Sequence, residues 1–263
     1  MRWIFALPLI LAAAACDAKQ ADKAATANAA APAQSEVAAE AVTLKASDGV
    51  TVYGRYYKAA QPKALILLFH QAGSSKDEYT TIAPRLVQAG YSALAIDQRA
   101  GDGLFGKNET ADGLGHKADY LEARPDLQAA LDWAQTRKLP ITLWGSSYSS
   151  SLIFPLAASD PQGIVGLLSF SPGEYFDQDK QMVRRAAAKV TVPVFIASTN
   201  SADETGQADP IMAALPKNSA NVRYVPEHGV HGSSTLIAAK NPEGVEANWS
   251  AVMAFLDRVV PGK

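Results

Sequence analysis

The sequence is poor in most of the residues and patterns that disclose a chemistry at sight. It holds one cysteine, Cys16, in 263 residues. That excludes an internal disulfide and any cysteine-based metal site. Its four histidines, His70, His116, His228 and His231, show no His-Glu-x-x-His spacing of the kind a helical zinc site uses. No glycine-rich phosphate loop and no dinucleotide fingerprint occurs. Neither a metal nor a cofactor is therefore expected. Neither sign of charge dominates. A formal net charge of -2 gives no reason to expect nucleic acid as a partner. No internal repeat is present.

What the chain does have begins at its N-terminus. Arg2 supplies a positive end, Trp3 to Leu11 are apolar apart from Pro8, and Ala12 to Ala15 are small. This is the make-up of an export signal, and it is too short for a spanning helix with flanks. Its abrupt end at Cys16 resembles a bacterial lipoprotein signal, with Ala13 where such signals usually carry leucine. The resemblance implies that Cys16 is lipidated. The protein would then reside in the bacterial cell envelope, lipid-anchored to the membrane or periplasmic. Residues 17–40 are alanine-rich, without an aromatic and almost without large apolar residues. Such a segment cannot bury enough surface to offset ordering entropy and reads as a flexible linker. The expected organisation is a signal over 1–16, a linker over 17–40 and one domain over 41–263, long enough for a single substantial core.

The domain opens with Val42-Thr-Leu-Lys and Thr51-Val-Tyr-Gly-Arg-Tyr-Tyr around Asp48-Gly49, a hairpin signal. Ala64 to Phe69 and Ser92 to Ile96 are continuous apolar runs of the buried-strand kind. A helix is predicted between them, from about Thr80 to Gln88, with Gly90 as its stop. A polar, glycine-rich stretch from Asp97 to about Ala123 reads as a long, functional loop. Leu127, Ala130, Leu131 and Ala134 then mark a helix face. Further strands are predicted at Ile164–Phe170, Val192–Ala197 and Asn221–Val225, and a closing helix carries Trp249, Val252, Met253, Leu256 and Val260. Alternating strands and helices predict an α/β fold, with a mostly parallel twisted sheet, helices on both faces and an N-terminal antiparallel hairpin.

The chemistry gathers around Ile141-Thr-Leu-Trp-Gly145-Ser-Ser147-Tyr-Ser149. A strand runs into a tight turn and then a helix, with Ser147 at the bend. The pattern is Gly-x-Ser-x-Ser, a variant of the Gly-x-Ser-x-Gly nucleophile elbow. Small residues are needed two positions either side of the nucleophile because strand and helix pack closely there. A serine needs a base to become nucleophilic. Acids follow a later strand, at Asp203, Glu204 and Asp209, and His228 and His231 follow the last.

Strand, elbow, acid and histidine in this order resemble the α/β-hydrolase superfamily, and in it the small dienelactone-hydrolase-like members, over about Val42 to Val260. The resemblance implies a Ser-His-Asp triad of Ser147, His231 and Asp203. Glu204 and Asp209 stand as rival acids and His228 as the rival base. His231 is favoured because Gly-Ser-Ser-Thr-Leu follows it, and a helix is expected soon after. The implied oxyanion donors are the N–H of Tyr148 and that of Ala72, with Gln71 as runner-up where the family usually has glycine. By the same resemblance His70 is structural, and Asp97 and Arg99 tie loops near the site, with a substrate carboxylate as the alternative partner of Arg99. Glu174 and Tyr175 end a strand on the ligand-binding edge and are candidate pocket residues. The short interval between Phe170 and Val192 leaves little room for a cap domain.

The activity expected is hydrolysis of carboxylic esters, through an acyl-enzyme, on a small acyl or ester substrate. The rival readings are a peptidase, thioesterase or acyltransferase on the same fold, or a catalytically silent binding module of the envelope.

Overall fold

The computed structural model describes residues 37–260. The expected signal with Cys16, and all of the expected linker up to residue 36, lie outside the described residues. The rest forms one eight-stranded sheet. Its strands are β1 (Ala39–Lys45), β2 (Thr51–Tyr57), β3 (Leu65–Phe69), β4 (Ser92–Ile96), β5 (Ile141–Ser146), β6 (Ile164–Phe170), β7 (Val194–Ala197) and β8 (Val222–Tyr224). The order across the sheet is β1-β2-β4-β3-β5-β6-β7-β8. Only β2 runs antiparallel to its neighbours, pairing with β1 in a hairpin and with β4; the remaining ladders are parallel.

The central strands β3, β4 and β5 are buried at every residue. That is why they read as continuous apolar runs: a parallel sheet is covered on both faces. One face packs against α3 (Arg124–Gln135), α4 (Tyr148–Ser159), α5 (Met182–Ala187) and α6 (Ala202–Ala214). The other packs against α1 (Ile82–Gln88) and α7 (Val245–Val259). Leu143 and Trp144, adjacent on β5, fall on opposite faces and are both fully buried. Each such side chain contributes roughly 1.5–3 kcal/mol.

Three expectations need correction. β1 begins at Ala39, two residues inside the span read as linker. Most of β1 is exposed, yet it pairs residue for residue with β2; an edge strand needs backbone partners more than apolar side chains. The stretch from Asp97 to Ala123 is not structureless. It contains α2 (Glu109–Asp112) and a 3-10 turn, Tyr120–Ala123. The helices α5 and α6 are additions. In α6 only Ala208 and Ile211 are buried and Pro210 lies inside, so no helical periodicity announces it.

The elbow depends on one close approach. A Cβ on Gly145 would lie 2.4 Å from Ser150 Cα and 2.5 Å from its N. Backbone cannot yield there as a flexible side chain would. Gly145→Ala is expected to destabilise the protein by about 3 kcal/mol, lowering Tm by about 6–12 °C. Gly103→Ala, where a Cβ meets nothing within 4 Å, should leave Tm within about 1 °C. Thermal melts of the two variants check this, and equal melting temperatures would contradict it.

Candidate active site

Ser147 stands between β5 and α4 with φ 58 and ψ -124. A serine at positive φ is strained by about 1–3 kcal/mol. The surroundings hold it there: its N–H donates to Phe170 O at 2.8 Å, and its carbonyl accepts Ser150 Oγ at 2.6 Å. The bend lifts the hydroxyl to the carboxyl edge of the sheet, where open α/β folds bind ligands. There Ser147 Oγ meets His231 Nε2 at 2.8 Å. His231 Nδ1 meets Glu204 Oε1, also at 2.8 Å.

The proton positions follow from chemistry. Burial pushes the Glu204 carboxyl up, but hydrogen bonds from His231, the Thr199 N–H and the Ser171 hydroxyl outweigh it and leave it at about 2. An ionised carboxylate only accepts, so the imidazole proton sits on Nδ1. Nε2 is then free to accept the Ser147 hydroxyl proton. Because the folded value lies below the usual glutamate value, Glu204 adds stability that is fully present above about pH 4.3. This stability is lost as the pH falls through about 2.

The loop after β3 is fixed from several sides. Burial lowers the His70 pKa to about 4, so this ring is neutral at neutral pH. Its Nε2 accepts Gln98 N–H at 2.9 Å, which leaves Nδ1–H to donate to Gln71 O at 2.8 Å. Ser74 N–H donates to the same carbonyl at 3.3 Å. In a trans peptide the N–H points opposite to the C=O, so pinning Gln71 O sets the direction of the Ala72 N–H. The Gln71 N–H is already engaged by Glu78 Oε2 at 2.8 Å, which takes the runner-up out of play. Tyr148 is the first residue of α4, where the N–H has no intrahelical partner.

Ser149, in place of the usual glycine, fits because its hydroxyl finds partners. It accepts Ser146 N–H at 2.9 Å and approaches Phe69 O at 2.7 Å. The same Phe69 carbonyl accepts Tyr79 OH at 2.6 Å. The substitution therefore ties the elbow to the end of β3.

The model of the serine aminopeptidase S33 family matches residues 60–224, more than half of the chain. The chain belongs to this family. It is a hydrolase of the α/β-hydrolase fold. Among solved structures, it is similar to a dienelactone hydrolase from Anabaena variabilis, with TM-score 0.67 and 18% identity over 86% of this chain and 100% of that one. An esterase from Pyrococcus furiosus superposes with TM-score 0.63 and 18% identity, over 86% of this chain and 92% of its own. A cold-adapted esterase from an Arctic intertidal metagenomic library gives TM-score 0.62 and 22% identity, over 86% and 95%. At these identities the likeness is one of fold. No curated protein matches the sequence.

Within this S33 hydrolase the expected acid is corrected. The carboxylate on His231 belongs to Glu204; Asp203 is exposed and makes no such bond. The reason is helical. Ser201 caps α6 and accepts the Glu204 N–H at 3.3 Å, which puts Asp203 one residue round the helix, on the solvent side. The signal was present as Ser201-x-x-Glu204, a helix-start pattern. Asp209 pairs with Arg223 at 2.7 Å. His228 is half-exposed and near Glu243, at 3.3 Å.

Arg99 is spent on Asp126, at 2.7 Å, and on Asp48, so its fork is closed to a substrate carboxylate. Glu174 accepts the N–H groups of Val183 and Arg184 at 2.9 Å each and serves the start of α5. Tyr175 is tied to the residue after β6. Its OH donates to Ser171 O at 2.7 Å; burial first, then Glu204 and Asp203, push its phenol up to about 12. Sequence reasoning missed Ser171, whose hydroxyl donates to Glu204 at 2.8 Å and accepts Gly232 N–H at 3.0 Å.

The α5 connection is all that separates β6 from β7, and no cap domain stands among the described residues. A cavity of about 360 Å³ lies between α3 and α4, lined by Leu121, Leu127, Leu152 and Leu156; it contains none of Ser147, His231 and Glu204. Among the described residues no group of three His, Cys, Asp or Glu is placed to hold a metal ion.

Replacing the two adjacent acids separately tests the corrected assignment. Glu204→Gln should lower kcat by about a thousandfold to ten-thousandfold, as loss of a triad carboxylate does. Asp203→Asn should stay within about twofold, as a surface change does. Steady-state kinetics on one ester decides it, and the reverse order of effects would reject Glu204.

Proposed function

We propose that the protein hydrolyses carboxylic esters through a Ser147–His231–Glu204 triad and a covalent acyl-enzyme. The observation that carries this reading is the unbroken relay from Ser147 Oγ to His231 to Glu204, with both contacts at 2.8 Å. Ser147 attacks the ester carbonyl while His231 Nε2 takes its proton. Glu204 stabilises the imidazolium that forms and holds the ring in its tautomer. The N–H groups of Tyr148 and Ala72 stabilise the negative charge on the tetrahedral oxygen. His231 then protonates the departing alcohol. Water, activated by the same imidazole, releases the acid and restores Ser147. The absence of a cap among the described residues suits small or exposed acyl groups. The named activities of the similar structures, dienelactone hydrolase and esterase, support the ester over the amide.

Ser147→Ala should reduce hydrolysis of p-nitrophenyl acetate by at least about a thousandfold and abolish labelling by a fluorophosphonate. Undiminished labelling of that variant would sink the assignment. Wild-type protein that folds yet refuses every such probe would support the silent binding module. Turnover of aminoacyl p-nitroanilides in place of esters would support an aminopeptidase instead.

The placement we propose is the cell envelope, through a lipid on Cys16. The support is the apolar segment Trp3–Leu11 followed by small residues up to the cysteine. Cys16→Ser should move the protein from the membrane fraction to the soluble fraction. Identical partition of the two forms would contradict the anchor.

A further inference from the structure

Three loops of the site meet at one buried carboxyl that the mechanism above does not use. Glu78 sits on the 3-10 turn Lys76–Tyr79, just after the oxyanion loop, and is 1% exposed. Its Oε2 accepts the Gln71 N–H at 2.8 Å. Its Oε1 accepts the Ser146 hydroxyl at 2.7 Å. Ser146 Oγ in turn accepts the Ser233 N–H at 2.8 Å, and a Cβ on Gly232 would come within 2.4 Å of that oxygen. The chain of bonds thus runs from the oxyanion loop, through the residue before the nucleophile, to the turn that carries His231.

Glu78 is a costly choice for a packing residue. Its neighbour Lys76 pairs with Asp97 at 2.7 Å and Glu109 at 2.8 Å, and among the described residues Glu78 itself has no ion pair. Burial pushes its pKa up to about 7, against the pull of the Gln71 N–H, the Ser146 and Ser74 hydroxyls and His231. A buried carboxyl without a cation is expensive, and an apolar side chain of like volume fills space more cheaply. What the carboxylate alone supplies is two acceptors for two converging donors, one N–H and one O–H.

We propose that Glu78 is a positioning residue for acyl transfer, holding the Gln71–Ala72 peptide and the Ser146 end of the elbow in the register the oxyanion hole needs. The proposal rests on the reading of Ser147 as nucleophile. Glu78 makes no hydrogen bond to Ser147 or His231, so it acts through Gln71 and Ser146. With the Gln71 N–H held by Glu78 and the Gln71 carbonyl by His70 and Ser74, the Ala72 N–H is aimed before substrate arrives. The oxyanion exists only once the tetrahedral centre forms, so misaiming that donor raises the barrier while leaving ground-state binding alone.

The test is kcat and KM for p-nitrophenyl acetate in Glu78→Gln, Glu78→Leu and Ser147→Ala, with folding checked by circular dichroism. Glutamine keeps the volume and one acceptor, and leucine keeps neither acceptor. Relative to wild type, kcat should fall about tenfold in Glu78→Gln and about a hundredfold in Glu78→Leu, with KM within about threefold. Both variants should still be labelled on Ser147 by a fluorophosphonate, more slowly. The proposal is overturned if folded variants keep kcat within about twofold, or if KM rises at constant kcat. If Glu78→Leu does not fold, Glu78→Gln decides on the same criteria. An inactive Ser147→Ala beside fully active Glu78 variants sinks this inference alone. An active Ser147→Ala sinks the nucleophile reading and this inference with it.

Discussion

Everything at the site depends on the backbone of Ser147 being held at positive φ where β5 turns into α4. The turn works only because Gly145 lets the two elements touch backbone to backbone at Ser150. Its strain is carried by the sheet. Ser147 N–H donates to the end of β6, and the next residue there, Ser171, is itself at φ 55 with its N–H on Ala197 O at 2.7 Å. Two strained serines at the ends of neighbouring strands are thus each tied to the next strand, Ser147 to β6 and Ser171 to β7. One carries the hydroxyl that meets His231, and the other fixes Glu204 and Gly232 behind it.

The rest of the site is a buried network of hydroxyls. Ser146, Ser149, Ser171, Ser233 and Tyr79 join the ends of β3, β5 and β6 to the histidine turn and to α6. Trp144 Nε1 adds a bond to Ser233 Oγ at 2.9 Å. Among the described residues only the Thr142 hydroxyl is buried without a partner. A fully satisfied network in low dielectric is rigid, because each broken bond strands a polar group away from water. That rigidity is what preorganised electrostatic stabilisation requires. It also explains the serine at position 149: a glycine would pack, but it would leave the elbow untied from β3.

The parts legible in the sequence are those whose physics is local or repetitive. The runs Leu65–Phe69, Ser92–Ile96 and Ile164–Phe170 read as strands because both their faces are buried. The bend at Ser147 shows in small residues at fixed spacing. The acid was less legible, because adjacent carboxylates at 203 and 204 differ only in which side of α6 they occupy, and α6 has too few buried residues to declare its phase. β1 was partly hidden by its exposed, alanine-containing composition. Glu78 was invisible: in Lys76-Asp77-Glu78 it reads as part of a solvated charged run. Its carboxyl is held by Gln71, on a loop of irregular geometry, and by Ser146, distant in the chain.

Quenched-flow mixing of the wild-type protein and of His231→Ala with excess p-nitrophenyl acetate, followed by peptide mapping by mass spectrometry, tests most directly whether Ser147 receives an acyl group under the control of His231, because the imidazole both takes the serine proton and activates the water that clears the ester. One acetyl group per chain, on Ser147, is expected in the wild-type protein quenched during the first turnovers, and none on the same time scale in His231→Ala. An acetyl group on another residue, or acylation of Ser147 as fast in His231→Ala as in the wild type, would contradict it.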